Sequence, residues 1–156
     1  MNKIDEIWKK IGLIINISQM IEYSLINIIA VNEILSEFEK KNQMYVFEYN
    51  ELVKKSNELS DIFETKTLGE ILSYFKEIKY FKNKDYHKLI EVLKRRNYVV
   101  HKFFKDDLSK NNLETNPTVY YSYLDETIKL MNEVNDELVG IDQKQRNELD
   151  SFIKES

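Results

Sequence analysis

The chain has 156 residues, 42% hydrophobic and 32% charged, with three glycines and one proline. That length supports one helical domain over 1–156 and excludes two independently stable cores, while the scarcity of helix breakers points to an all-α fold. A net charge of −4 excludes the global basic field common among nucleic-acid binders, and the absence of cysteine excludes disulfides and thiolate metal sites.

The opening "MNKIDEIWKK" lacks the basic segment, unbroken apolar run and cleavage site of a signal peptide, so a cytoplasmic location is expected. Apolar residues then predict a first helix from about Ile4 to about Phe38. Trp8, Ile11, Ile15, Ile21, Leu25, Ile28, Val31 and Leu35 lie on nearly every side of its wheel, as in a helix buried on several sides. Asn16, Ser18, Gln19, Glu22, Ser24, Asn27, Asn32 and Glu33 interrupt the apolar run, which argues against a membrane span.

A second helix is expected from about Met44 to about Leu59, with Tyr45, Phe47, Leu52 and Val53 as its core contributions and the polar run "SNELSD" at its end. Thr67-Leu68-Gly69-Glu70 fits a capping box, so a third helix should start at Leu68. Asn83 or Asp85 then caps a helix from about Tyr86 to about Asp106, and "DDLSKNNLETN" reads as a loop. Asn116 before Pro117 reads as an N-cap with proline at the first helical position, and the last helix runs on to Gly140, where it continues or breaks. Together these elements make an antiparallel bundle of four to five helices.

The fourth helix carries "LKRRNYVVHKFFK", residues 93–105. Advancing about 100° per residue puts Arg96 in the middle of an apolar stripe with Leu89, Val92, Leu93, Val99, Val100 and Phe103. Asn97 lies further round, and His101 follows it at the i,i+4 spacing that brings side chains together. Arg95 falls among Lys88, Glu91, Tyr98 and Lys102, as ordinary surface. A charge in an apolar stripe needs a partner or a function, because an unpaired buried charge costs roughly 3–5 kcal/mol. The structural explanation is a buried ion pair with Glu22 of the first helix.

The run "RNYVVHKFF" resembles the signature of the HEPN superfamily, in which arginine, usually followed by a polar residue, precedes histidine by four to six intervening positions. A long apolar first helix, a helix opening at "TLGEIL" and aromatic residues after the histidine agree with it. The resemblance implies a HEPN-like helical fold and a metal-independent endoribonuclease, working as a homodimer whose motif helices build one cleft. His101 would be general acid or base, Arg96 the stabiliser of the phosphate, and Asn97 the orienting residue, with Arg95 and Lys102 lining the RNA path. No cofactor is implied. Small enzymes of this kind are commonly toxins or phage-defence effectors, so an inhibitory antitoxin protein is a further expected partner. In family members paired with minimal nucleotidyltransferases a modifiable tyrosine lies two residues after the histidine; this chain has Phe103 there. The alternative is a non-catalytic dimerisation or partner-binding module with a structural buried arginine.

Other candidates carry weaker signals. His87 has no companion at metal-ligand spacing, and two histidines without an HExxH pattern give no zinc site. Asp106 and Asp107 read as solvated residues at a helix end. Tyr120, Tyr121 and Tyr123 could stack on bases but fit core packing better.

Overall fold

Buried residues of the first helix follow one another at alternating steps of four and three: Ile7, Ile11, Ile14, Ser18, Ile21, Leu25, Ile28. The last helix shows the same alternation in Leu124, Thr127, Met131, Val134, Leu138, Ile141 and Gln145. This is the spacing of a coiled-coil seam, in which side chains of each helix fill gaps on the other. In the computed structural model, which describes residues 3–40, 49–74, 78–108 and 117–152, these two helices form the spine of an all-α fold. They are α1 (Lys3–Lys40) and α5 (Pro117–Phe152). Between them lie α2 (Tyr49–Glu64), α3 (Leu68–Leu72) and α4 (Asn83–Asn97), and α4 passes directly into a π-wound segment, Tyr98–Leu108. No strand occurs among the described residues.

The spine helices run parallel, contrary to the expected antiparallel arrangement. At one end Tyr121 donates from its hydroxyl to the Lys3 carbonyl at 2.8 Å and Lys10 pairs with Asp125; at the other, Leu149 packs with Val31, Ile34 and Leu35. Helix α4 runs antiparallel to α5, since Lys88 pairs with Glu137 while Arg95 reaches Thr127. The chain reverses between α1 and α4 and again before α5, which leaves its first and last helices pointing the same way.

The second half of α1 is buried on several sides, as its sequence suggested, with consecutive Ile28, Ile29, Ala30 and Val31 all buried, whereas the first half is not. Its face toward α5 is sealed, but Trp8 and Ile15 are 50% and 39% exposed. A stripe of fixed 3–4 spacing covers only part of a helical wheel, so apolar residues outside it stay at the surface until another element packs over them. One window of α1 is long and apolar enough to cross a membrane by length and composition, with a mean hydropathy of 1.5, and 56% of it is buried inside this fold.

Local signals explain the element starts. Thr67 and Glu70 form the expected capping box: the Glu70 amide donates to the Thr67 hydroxyl at 3.3 Å, and the Thr67 amide donates to the Glu70 carboxylate at 3.2 Å. Helix α4 begins three residues earlier than expected. Asn83 is its first helical residue, not its cap, and Asp85 reaches back to accept from the Lys82 amide at 3.1 Å. Helix α2 is shifted along the chain, and "SNELSD" lies within it rather than ending it. Val53 is 42% exposed and so is no core residue; Met44, Tyr45 and Phe47 lie outside the described residues. The same holds for Asn116, but Pro117 does open α5, which continues unbroken past Gly140.

Candidate functional site

The stripe on α4 and its π-wound extension is a core stripe. Leu89, Val92, Val99 and Phe103 are all buried, and their spacing leaves one gap, filled by Arg96. Arg96 is half-buried and turns outward: its guanidinium donates to the Asn97 side-chain oxygen at 3.1 Å. The ion pair with Glu22 expected as its structural explanation is not formed. Glu22 is half-buried on α1, and no ion pair or hydrogen bond joins it to Arg96 among the described contacts. A guanidinium that finds no buried carboxylate keeps its hydration by rotating to the surface, because only its stem is apolar.

Arg95 is the arginine that the fold holds. Expected as ordinary surface, it instead bridges α4 and α5, with its side chain 22% exposed. One terminal nitrogen donates to the Thr127 hydroxyl at 3.0 Å and Nε donates to Glu91 at 3.1 Å, while the guanidinium lies 5.0 Å from the centre of the Tyr123 ring. Thr127 is buried and donates its own proton to the Tyr123 carbonyl at 2.8 Å, so it receives Arg95 with its lone pairs. Burial pushes the Tyr123 hydroxyl above its ordinary pKa, with Arg95 opposing that shift. Sequence reasoning missed this clamp, although the i,i+4 spacing of Glu91 and Arg95 was its visible half.

His101 stands in the π-wound segment and is exposed, as are Asn97 and Lys102. In an α-helix, residues five apart fall on different sides of the wheel, whereas π winding closes its hydrogen bonds from i to i+5. Widening of the helix from Tyr98 onward therefore draws His101 round toward the turn that carries Arg96 and Asn97. The structure thus gives a bonded Arg96–Asn97 pair, with the stem of Arg96 in the stripe and its guanidinium turned out of it, and an exposed imidazole one turn further on. His101 has no hydrogen bond to either residue among the described contacts.

The stripe itself is consumed within the chain, so a second copy could not use it as an interface. Any partner chain completing a cleft would meet the outward arc instead. Phe103 faces inward and is fully buried, with its ring edge-on to Tyr98 at 6.4 Å and to Tyr120 at 5.5 Å. That position is structural here.

Tyr120, Tyr121 and Tyr123 are each half-buried at the margin of the main core, as their sequence pattern suggested. His87 is exposed and meets Tyr86 edge-on at 6.4 Å. No group of three or more histidines and carboxylates converges among the described residues in a way that could hold a metal ion, and the side chains of Asp106 and Asp107 lie outside that description. No family model, curated protein or solved structure matches this chain.

Proposed function

We propose that the chain is a HEPN-type endoribonuclease that cuts RNA without a resident metal or cofactor. The observation that carries this reading is the outward-facing Arg96–Asn97 pair with exposed His101 one turn on, set on a helix whose other side is locked into the core. In the reaction the 2′-oxygen of a ribose forms a bond to the adjacent phosphorus and the bond to the 5′-oxygen breaks. The 2′-hydroxyl loses a proton, the departing 5′-oxygen gains one, and the products are a 2′,3′-cyclic phosphate and a 5′-hydroxyl. An imidazole with an ordinary pKa near ~6.5 can carry either transfer at neutral pH. Arg96 offers a planar fork of donors to the non-bridging oxygens as charge builds on them, and Asn97 holds that fork in place.

One motif histidine per chain supplies either the base or the acid. A homodimer that opposes two outward arcs supplies both, which is the physical case for a composite cleft. Lys102 adds local positive charge to an otherwise acidic chain, whereas Arg95 acts mainly by fixing the helix on which the site stands. An antitoxin that covers the arc and a cytoplasmic site of action complete the proposal, by analogy with the family. The alternative, a partner-binding helical module, draws on Leu13 and Met20, which lie two turns apart on α1 and are both exposed.

The test is incubation of wild-type and His101→Ala protein with a mixed RNA pool in excess EDTA. Cleavage by the wild type alone, leaving 2′,3′-cyclic ends, is the expected result. Equal cleavage by both proteins, or none by either, removes the support for a His101-dependent nuclease and favours the module reading.

A further inference from the structure

Beside the motif lies an aromatic groove that the proposed chemistry does not use. Tyr98 lines it from the motif segment, and Val119, Tyr120 and Tyr123 line it from the first turns of α5. Its volume is about 200 Å³. That is below the ~300–1,000 Å³ of pockets that enclose drug-sized ligands, and it suits one flat ring system entering from solvent. The rings are held at fixed angles. Tyr98 and Tyr123 meet edge-on with centres 5.3 Å apart, Tyr120 is braced by buried Phe103, and Arg95 fixes Tyr123 from α5's neighbour helix.

Placement decides what such a groove would take. Tyr98 directly follows Asn97 and precedes His101 by three residues, so the groove borders the exposed arc that carries those two side chains. Exposed Lys94 and Lys102 flank it on the same outward arc and complement a polyanion. Single-stranded nucleic acid is held in this way elsewhere: aromatic faces stack on bases while cations follow the backbone. An apolar protein side chain would gain the contact area without using the flanking cations.

We infer that this tyrosine-lined groove is a base-stacking subsite for a nucleotide of single-stranded RNA next to the scissile phosphate. The inference rests on the nuclease reading for the identity of the strand, and it assigns Tyr98, Tyr120 and Tyr123 to substrate binding rather than to chemistry. Because every base has a π-face, the subsite favours unpaired over paired RNA and shows little preference among bases.

The experiment uses fluorescein-labelled hexa-adenylate with 2′-O-methyl riboses, which lacks the attacking hydroxyl, and the same backbone made abasic. Binding to the full chain is followed by anisotropy for wild type, Tyr98→Leu and Tyr98→Phe. Expected are tighter binding of the adenylate than of the abasic strand, a loss of about five- to a hundred-fold in Tyr98→Leu, and near-complete retention in Tyr98→Phe. In the wild type, adenosine monophosphate should also shift tyrosine ring proton resonances where ribose 5-phosphate does not, a readout that needs no variant. Equal affinity for the two strands, or shifts with both small molecules, would overturn the inference. Base-dependent binding without cleavage would retain the groove and reject the nuclease, whereas cleavage with base-indifferent binding would do the reverse.

Discussion

Adjacent arginines in "KRRN" should respond to substitution in opposite ways. Arg95→Ala removes a partly buried charged hydrogen bond to Thr127, contact with the Tyr123 ring and an i,i+4 pair with Glu91. The first is worth about 1–1.5 kcal/mol at this exposure, the second about 0.5–1 kcal/mol, and the third no more than about 0.3 kcal/mol because Glu91 is half in solvent. No buried charge is stranded, since Thr127 still donates to the Tyr123 carbonyl and Glu91 can hydrate. The loss is therefore about 2 kcal/mol, which lowers the urea midpoint by about 1 M for a chain of this size. Lysine at the same position lacks the planar fork and should recover less than half. Arg96→Ala removes one surface hydrogen bond to Asn97 and takes a cation out of an apolar register, so stability should change by no more than about 0.5 kcal/mol. RNA cleavage should vanish in Arg96→Ala at wild-type stability. Urea unfolding followed by helical circular dichroism decides the matter, and an equal or larger midpoint shift in Arg96→Ala would refute the assignment of the structural role to Arg95.

Two further outcomes test the packing. Burial pushes the Glu148 carboxyl up, but hydrogen bonds from Lys79 and Tyr80 outweigh it and hold the group below its ordinary value of 4.5. A carboxyl depressed in the folded state stabilises fully above that ordinary value and loses its contribution as pH falls through the folded one. Acid should thus lower the denaturation midpoint of the wild type more steeply than that of Glu148→Gln; parallel pH profiles would count against the network. In the seam, Gln145 is fully buried and neither end of its amide has a hydrogen-bond partner among the described residues. Gln145→Leu should raise stability by about 1 kcal/mol, read as a higher melting temperature, and a fall would show that the amide is satisfied by interior water. A polar seam residue of this kind can also fix helix register at a cost in stability.

Much of the protein was legible in the sequence. Helical class follows from periodicity and from the shortage of breakers, both local properties. The start of α3 follows from Thr67 and Glu70, whose hydrogen bonds close within four residues. Pro117 marks the start of α5 for the same reason: its ring fits only where no amide donor is needed. The apolar stripe of Leu89, Val92, Val99 and Phe103 also follows from counting along one helix, whereas the exposure of Asn97 and His101 does not.

Relations between helices were decided elsewhere. Arg95 and Arg96 differ by a single step of rotation, and which of them is held depended on where α5 brought Thr127 and Tyr123, residues more than twenty-five positions away in the chain. Exposure of Trp8 and Ile15 and the parallel pairing of α1 with α5 likewise depend on which face meets which neighbour. Periodicity gives each helix its apolar arc, but a side chain at the edge of that arc is buried only if another element arrives to cover it. Sequence therefore determined the elements and the chemical groups they carry, while tertiary packing sorted those groups into the ones that hold the fold and the ones left to face a substrate.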